Sequence, residues 1–171
     1  MFVNFIRENK VVAGVLTLIR VYLGYAWLTA GWGKAMGEFD ASGFIQGAIA
    51  NAGGEYPTVQ GWWAAFLEMV ALPNAELFSF MVAWGEVLVG IALIVGAFTN
   101  FAALMGMVMN FAFLFSGTVS TNAQMVLLTF FLLVAGYNAG RYGLDRWIIP
   151  FIRNYVRTER FFKPKKLQTQ N

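Results

Sequence analysis

Residues 11–32 read VVAGVLTLIRVYLGYAWLTAGW, an apolar run with a single charge, Arg20, near its middle. Residues 77–98 read LFSFMVAWGEVLVGIALIVGAF and carry Glu86 in the same manner. Each run is long enough to cross the hydrocarbon core of a bilayer, which takes roughly 20 residues of helix. A lone charge at mid-bilayer costs about 2.5–3.5 kcal/mol on insertion scales. Opposite charges at matching depth therefore predict a buried Arg20–Glu86 pair inside a helical bundle, and a place where chemistry or transport can occur.

Composition agrees with that reading. Of the 171 residues, 58% are hydrophobic and 12% charged, and mean hydropathy is +0.59. A soluble domain carries roughly 25% charged residues, so the chain is read as a polytopic membrane protein. With no cysteine and no histidine, disulfides, thiol redox chemistry, the usual zinc sites and His-ligated haem are excluded. No metal, haem or flavin is expected. Carboxylate, amide, guanidinium and aromatic groups remain as the available chemistry.

Four apolar segments predict four spans, at about 11–32, 77–98, 100–117 and 121–140. The link Phe98-Thr-Asn-Phe101 is tight enough to make spans two and three antiparallel neighbours. Residues 33–75 form the long loop, with a short helix from Asp40 to about Ala50, a breaker at 51–57, and an apolar patch around Trp62 and Trp63 ending at Pro73. Paired tryptophans favour the membrane interface, so the patch reads as a half-embedded helix, either a plain anchor or a lid over a cavity. Domain organisation is then a four-helix membrane domain, 1–146, and a basic interfacial tail, 147–171, with Pro150 interrupting its first part and Lys163–Asn171 disordered.

Charge sets the orientation. Arg7 and Lys10 precede span one, and eight of the twelve Lys/Arg follow Gly140. Between spans one and two there is only Lys34 against five acidic residues, Glu38, Asp40, Glu55, Glu68 and Glu76. Basic flanks stay cytoplasmic, so both termini are expected in the cytoplasm and the long loop outside. The net charge of +3 lies in a juxtamembrane cluster rather than on a nucleic-acid face. The expected partners are the bilayer and its anionic headgroups.

Counting about 1.5 Å per residue from the cytoplasmic ends brings Arg20, Glu86, Asn110 and Thr129 to similar depth. On span one, Thr17, Arg20, Gly24, Trp27, Gly31 and Lys34 share a face. Small residues beside polar ones let helices approach and shield the polar groups from lipid. The stripe is read either as a buried ion pair that fixes register or as a site that binds a headgroup or passes a proton. Glu86 is the candidate proton carrier, Arg20 the electrostatic clamp, and Lys34 a snorkelling residue at the outer surface. The run Asn138–Asp145 reads as a helix exit with an Asp–Arg contact.

Together, Ile19-Arg-Val-Tyr-Leu-Gly24, Gly31-Trp-Gly-Lys34, Gly85–Gly96, Phe98-Thr-Asn-Phe-Ala-Ala103 and Asn138-Ala-Gly-Arg-Tyr-Gly-Leu-Asp145 resemble the DoxX family. That family includes the DoxD subunit of thiosulfate:quinone oxidoreductase. The resemblance implies an all-α, four-span protein of the cell membrane that passes electrons from thiosulfate to membrane quinone. It implies a second oxidoreductase subunit as partner, and Arg20, Lys34, Glu86 and Asn110 as site residues. In that reading Glu86 and Arg20 are catalytic, while Lys34, Asn110, Trp27 and Thr129 bind substrate or quinone. The alternatives are a non-catalytic binder of quinone or a small amphiphile, and a scaffold for soluble redox partners.

Overall fold

In the computed structural model the described residues are 1–161, with side chains through Val156. The side chains of Arg157 and Arg160, and the whole of the expected tail from Lys163 to Asn171, lie outside them. Among the described residues every regular element is helical. In chain order they are α1 (Phe2–Glu8), α2 (Lys10–Met36), α3 (Ser42–Ala50), α4 (Gly61–Phe66), α5 (Ala75–Val95), α6 (Thr99–Phe115), α7 (Asn122–Ala135), α8 (Tyr137–Gly140) and α9 (Asp145–Phe161).

The apolar runs become α2, α5, α6 and α7–α8, a membrane helical bundle. Helix α2 packs against α5, α5 against α6, α6 against α7, and α7 back against α2. Two helical stretches, Lys10–Met36 and Gly61–Val95, are long and apolar enough to cross a membrane, and α6 and α7 are shorter apolar helices. The outer faces are apolar and exposed, as with Leu18, Leu88, Phe101 and Phe130, which suits contact with lipid rather than water.

Glycine sets the closest contact, between α2 and α5. A Cβ on Gly24 would lie 2.9 Å from the Gly90 carbonyl oxygen, and one on Gly31 would lie 2.6 Å from the Val87 nitrogen. Backbone occupies that space, so larger residues would push the helices apart. The core above and below is filled by Leu16, Leu23, Trp27, Leu93, Ala103 and Leu132.

Two expectations about the long loop change. Helix α3 forms where the sequence placed it, with the Asp40 carboxylate accepting from the Ser42 backbone nitrogen at 2.9 Å. The tryptophan segment, however, is not a separate interfacial helix ending at Pro73. Helix α4 continues through a π-helical turn, Leu67–Ala71, and a 3-10 turn, Leu72–Asn74, directly into α5. Pro73 has no N–H to donate and would disrupt a regular helix. The wider turn accommodates it: Leu72 donates to the Leu67 carbonyl, and the Asn74 side chain donates to the Val70 carbonyl at 2.8 Å. Likewise α9 runs through Pro150 instead of breaking there. It leaves Trp147, Phe151 and Tyr155 exposed along one face, the pattern of a helix lying on a membrane surface.

Candidate functional site

The two charges that first suggest a site do not meet. Glu86 pairs with Lys34, Nζ to Oε2 at 2.5 Å, and Glu86 is 1% exposed. This corrects the expected Arg20–Glu86 pair and the reading of Lys34 as a snorkelling residue. Register and side-chain tilt explain both. Gly31, not Arg20, faces Glu86, and it lies eleven residues beyond Arg20, about 16 Å of helix rise. Helical side chains lean toward the N-terminus of their own helix. In antiparallel α2 and α5, Arg20 and Glu86 therefore lean apart, whereas Lys34 and Glu86 lean together.

Arg20 instead reaches the turns that join α5 to α6 and α8 to α9. A Cβ on Gly96 or on Gly143 would collide with its Nη1. Gly96 has φ +69°, a conformation that glycine adopts without strain. Asp145 supplies the nearby negative charge. Its carboxylate accepts from the Phe98 nitrogen at 2.6 Å and the Thr99 nitrogen at 2.9 Å, so it caps α6. It is 1% exposed. The Asp–Arg contact expected at the helix exit is thus replaced by a cap on a different helix. The same end is tied further by Asn138, whose side chain donates to the carbonyls of Ile6 and Asn9, and by Arg7, which donates to Val134.

At the opposite end a chamber of about 410 Å³ opens beside the Lys34–Glu86 pair. Trp27 and Ala30 of α2 and Phe78 and Val82 of α5 line it from one side. Phe113 of α6, Ser116 just past its end and Met125 of α7 line it from another, and Phe44, Trp63, Phe66 and Leu67 cover it. Lys34 Nζ stands 5.6 Å from the centre of the Phe39 ring and 5.8 Å from that of Phe113, within cation–π range. The ammonium is thus held by one carboxylate and two ring faces, at the edge of an otherwise apolar space. Such a space can bury a flat apolar group and offer it one acidic and one basic atom.

Of the residues singled out in the sequence, Glu86, Lys34 and Trp27 border the chamber, while Arg20, Asn110 and Thr129 are not among its lining residues. The Trp27 indole nitrogen would lie 3.0 Å from a Cβ on Gly106, so that glycine makes room for the ring. Thr129 donates to the Met125 carbonyl one turn back at 2.7 Å, bonding within its own helix. Asn110 is fully buried, and neither atom of its amide has a hydrogen-bond partner in the protein. Sequence reasoning missed Asp145 as a buried cap and missed the aromatic lining from α3 to α5. The first had a signal, an aspartate directly after a glycine-rich turn. The second had none, because phenylalanine faces lipid and cavity alike.

The family model described as DoxX matches residues 15–119. No curated protein and no solved structure matches the chain.

Proposed function

The chain belongs to the DoxX family, and from that premise we propose that it is a membrane-embedded oxidoreductase subunit whose chamber receives the ring of a membrane quinone. One observation carries this reading: a buried Lys34–Glu86 ion pair bordering an apolar, aromatic-lined space of about 410 Å³. Ligand sites are concave, largely apolar and furnished with a few polar groups, and a quinone ring matches that inventory. Trp27 and Phe113 pack on the ring. Lys34 donates to one quinone oxygen and gives up a proton as reduction makes that oxygen basic, and the Glu86 carboxylate takes up a proton from outside and returns it to the amine.

Electrons come from a reduced sulfur compound such as thiosulfate. A dianion suits the apolar chamber poorly, and Arg20, the expected clamp, lies about 21 Å of helix rise from Lys34 along α2. The donor is therefore placed on a second subunit rather than inside the chamber. Both termini are proposed to be cytoplasmic, by the distribution of Lys and Arg, with the chamber at the outer side of the cell membrane and anionic lipid around the basic end.

A non-catalytic carrier is the second reading. The apolar walls favour it, since they suit the head of any small amphiphile.

Titration of a short-chain quinone into the purified chain in nanodiscs tests the site, read by quenching of tryptophan fluorescence. Saturable quenching that weakens in Glu86→Gln is expected, and its absence sinks the chamber reading. Thiosulfate-dependent quinone reduction, with membranes supplying the partner, separates the subunit from the carrier.

A further inference from the structure

A groove of about 290 Å³ runs outside the chamber, lined by Val108, Phe111 and Phe115 of α6 together with Trp63 and Ala112. Trp63 and Ala112 also line the chamber, so these two residues form the wall that both spaces share. Val108, Phe111 and Phe115 are 55%, 40% and 41% exposed. They continue the outer stripe begun by Phe101 and Leu104, at steps of three and four residues, which in a membrane protein faces lipid.

We propose that this shared wall is a lateral portal and the groove a subsite for the hydrocarbon tail of a single-tailed amphiphile whose head occupies the chamber. The proposal rests on the chamber reading above and adds the ligand's class and route. A tailed ligand dissolved in the bilayer reaches the groove without crossing water. Its head passes between Trp63 and Ala112, and its tail stays on Val108 and Phe111.

The wall is built to move on one side. The Trp63 indole nitrogen donates to the Ser116 hydroxyl at 2.9 Å, a single neutral hydrogen bond. Its ring also meets Phe115 edge-on, with centroids 5.6 Å apart. Helix α4, which carries Trp63, joins α5 through the π-helical turn Leu67–Ala71, a geometry found disproportionately at functional sites. Ala112 is the fixed side, a small residue on a regular helix, and it leaves the width of the opening to the indole.

Two photoreactive quinones test this on the full chain in nanodiscs, one with an azide on the ring and one with a diazirine at the end of a decyl tail. The ring probe is expected to label chamber residues such as Phe66, Phe78 or Phe113. The tail probe is expected to label Val108 to Phe115, and to lose that labelling when excess tailless quinone fills the chamber. Val108→Trp, which fills the groove without touching the chamber, should abolish tail labelling and leave ring labelling in place. Chamber labelling by the ring, combined with tail labelling at the Thr118–Asn122 rim, overturns the portal alone. So does α6 labelling that the tailless quinone fails to displace. No chamber labelling by the ring probe overturns both the portal and the chamber reading.

Discussion

At the end of the bundle where α1 meets α8, buried polar side chains hold backbone. Asp145 caps α6, Asn138 fastens the start of α2, and Arg20 lies against Gly96 and Gly143, its Nε and Nη1 without a hydrogen-bond partner among the described residues. At the other end, Lys34 and Glu86 hold each other and border open space. Both ends bury charge. The difference is that the Asp145 carboxylate is held by main-chain N–H groups fixed in turns, and the Glu86 carboxylate by a side-chain partner that can leave. A charge buried in a membrane bundle suggests function by default, but Asp145 shows one that serves as a helix cap, whereas Glu86 borders a cavity.

Substitutions at the two ends should break this contrast or sharpen it. Asp145→Ala should be the most damaging, since it strips two N–H groups of their acceptor and leaves Arg20 without its anion. Leaving a buried N–H without its acceptor costs about 1–3 kcal/mol each, so the thermal transition in detergent should be greatly lowered. A wild-type melt would erase the distinction between the ends. Gly96→Ala should come next. Placing a side chain in the left-handed region costs about 1–2 kcal/mol, and the new methyl would also displace Arg20 and the Gly143 turn, lowering the melting temperature without touching the chamber.

The chamber pair should behave asymmetrically. Lys34→Met leaves a carboxylate that is 1% exposed unpaired, whereas Glu86→Gln leaves a lysine side chain that is 26% exposed and can turn outward. The first should destabilise clearly and the second by no more than about 1 kcal/mol, in the range of an exposed pair. The double variant should recover most of the loss, because no unpaired charge remains. A double-mutant cycle on the melts measures this coupling directly. Equal losses from the two single variants would mean that Lys34 is as confined as Asp145.

Asp40 should matter least. It is fully exposed, and the Ser42 hydroxyl and then the Ser42 backbone N–H hold its carboxyl below the usual carboxylate range. A depressed folded value stabilises above the ordinary aspartate range and loses that contribution as pH falls through it. Melts between neutral and acid pH should show a slight slope that Asp40→Asn removes.

Most of the bundle was legible from sequence, because runs of some 20 apolar residues leave few alternatives to membrane helices. The buried face of α2 was legible too: the spacing that placed Arg20, Gly24, Trp27 and Gly31 together matches its buried side. Pairing across helices was not. Depth counted from the cytoplasmic ends assumed that the start of α2 and the end of α5 lie level, yet α5 stops at Gly96 opposite Arg20, and the first ten residues of α2 extend beyond it. The start of α2 is held instead by Asn138 and Tyr142, which donate to the Asn9 and Lys10 carbonyls. The continuation of α4 through Pro73 was equally hidden, since proline in an apolar run ordinarily marks a stop.

The π-helical turn at Leu67–Ala71 also fixes an angle. A turn of this type holds one residue more than an α-helical turn, and each residue advances a helix by about 100°. Trp63 and Phe66 before it and Phe78 and Glu86 after it face the same chamber, and the extra residue shifts the phase between the two pairs. Deleting one residue from the turn would leave a continuous helix of much the same length with its first part rotated, so that the indole pointed at lipid. The protein would still span the membrane, but with the wall of its chamber turned away.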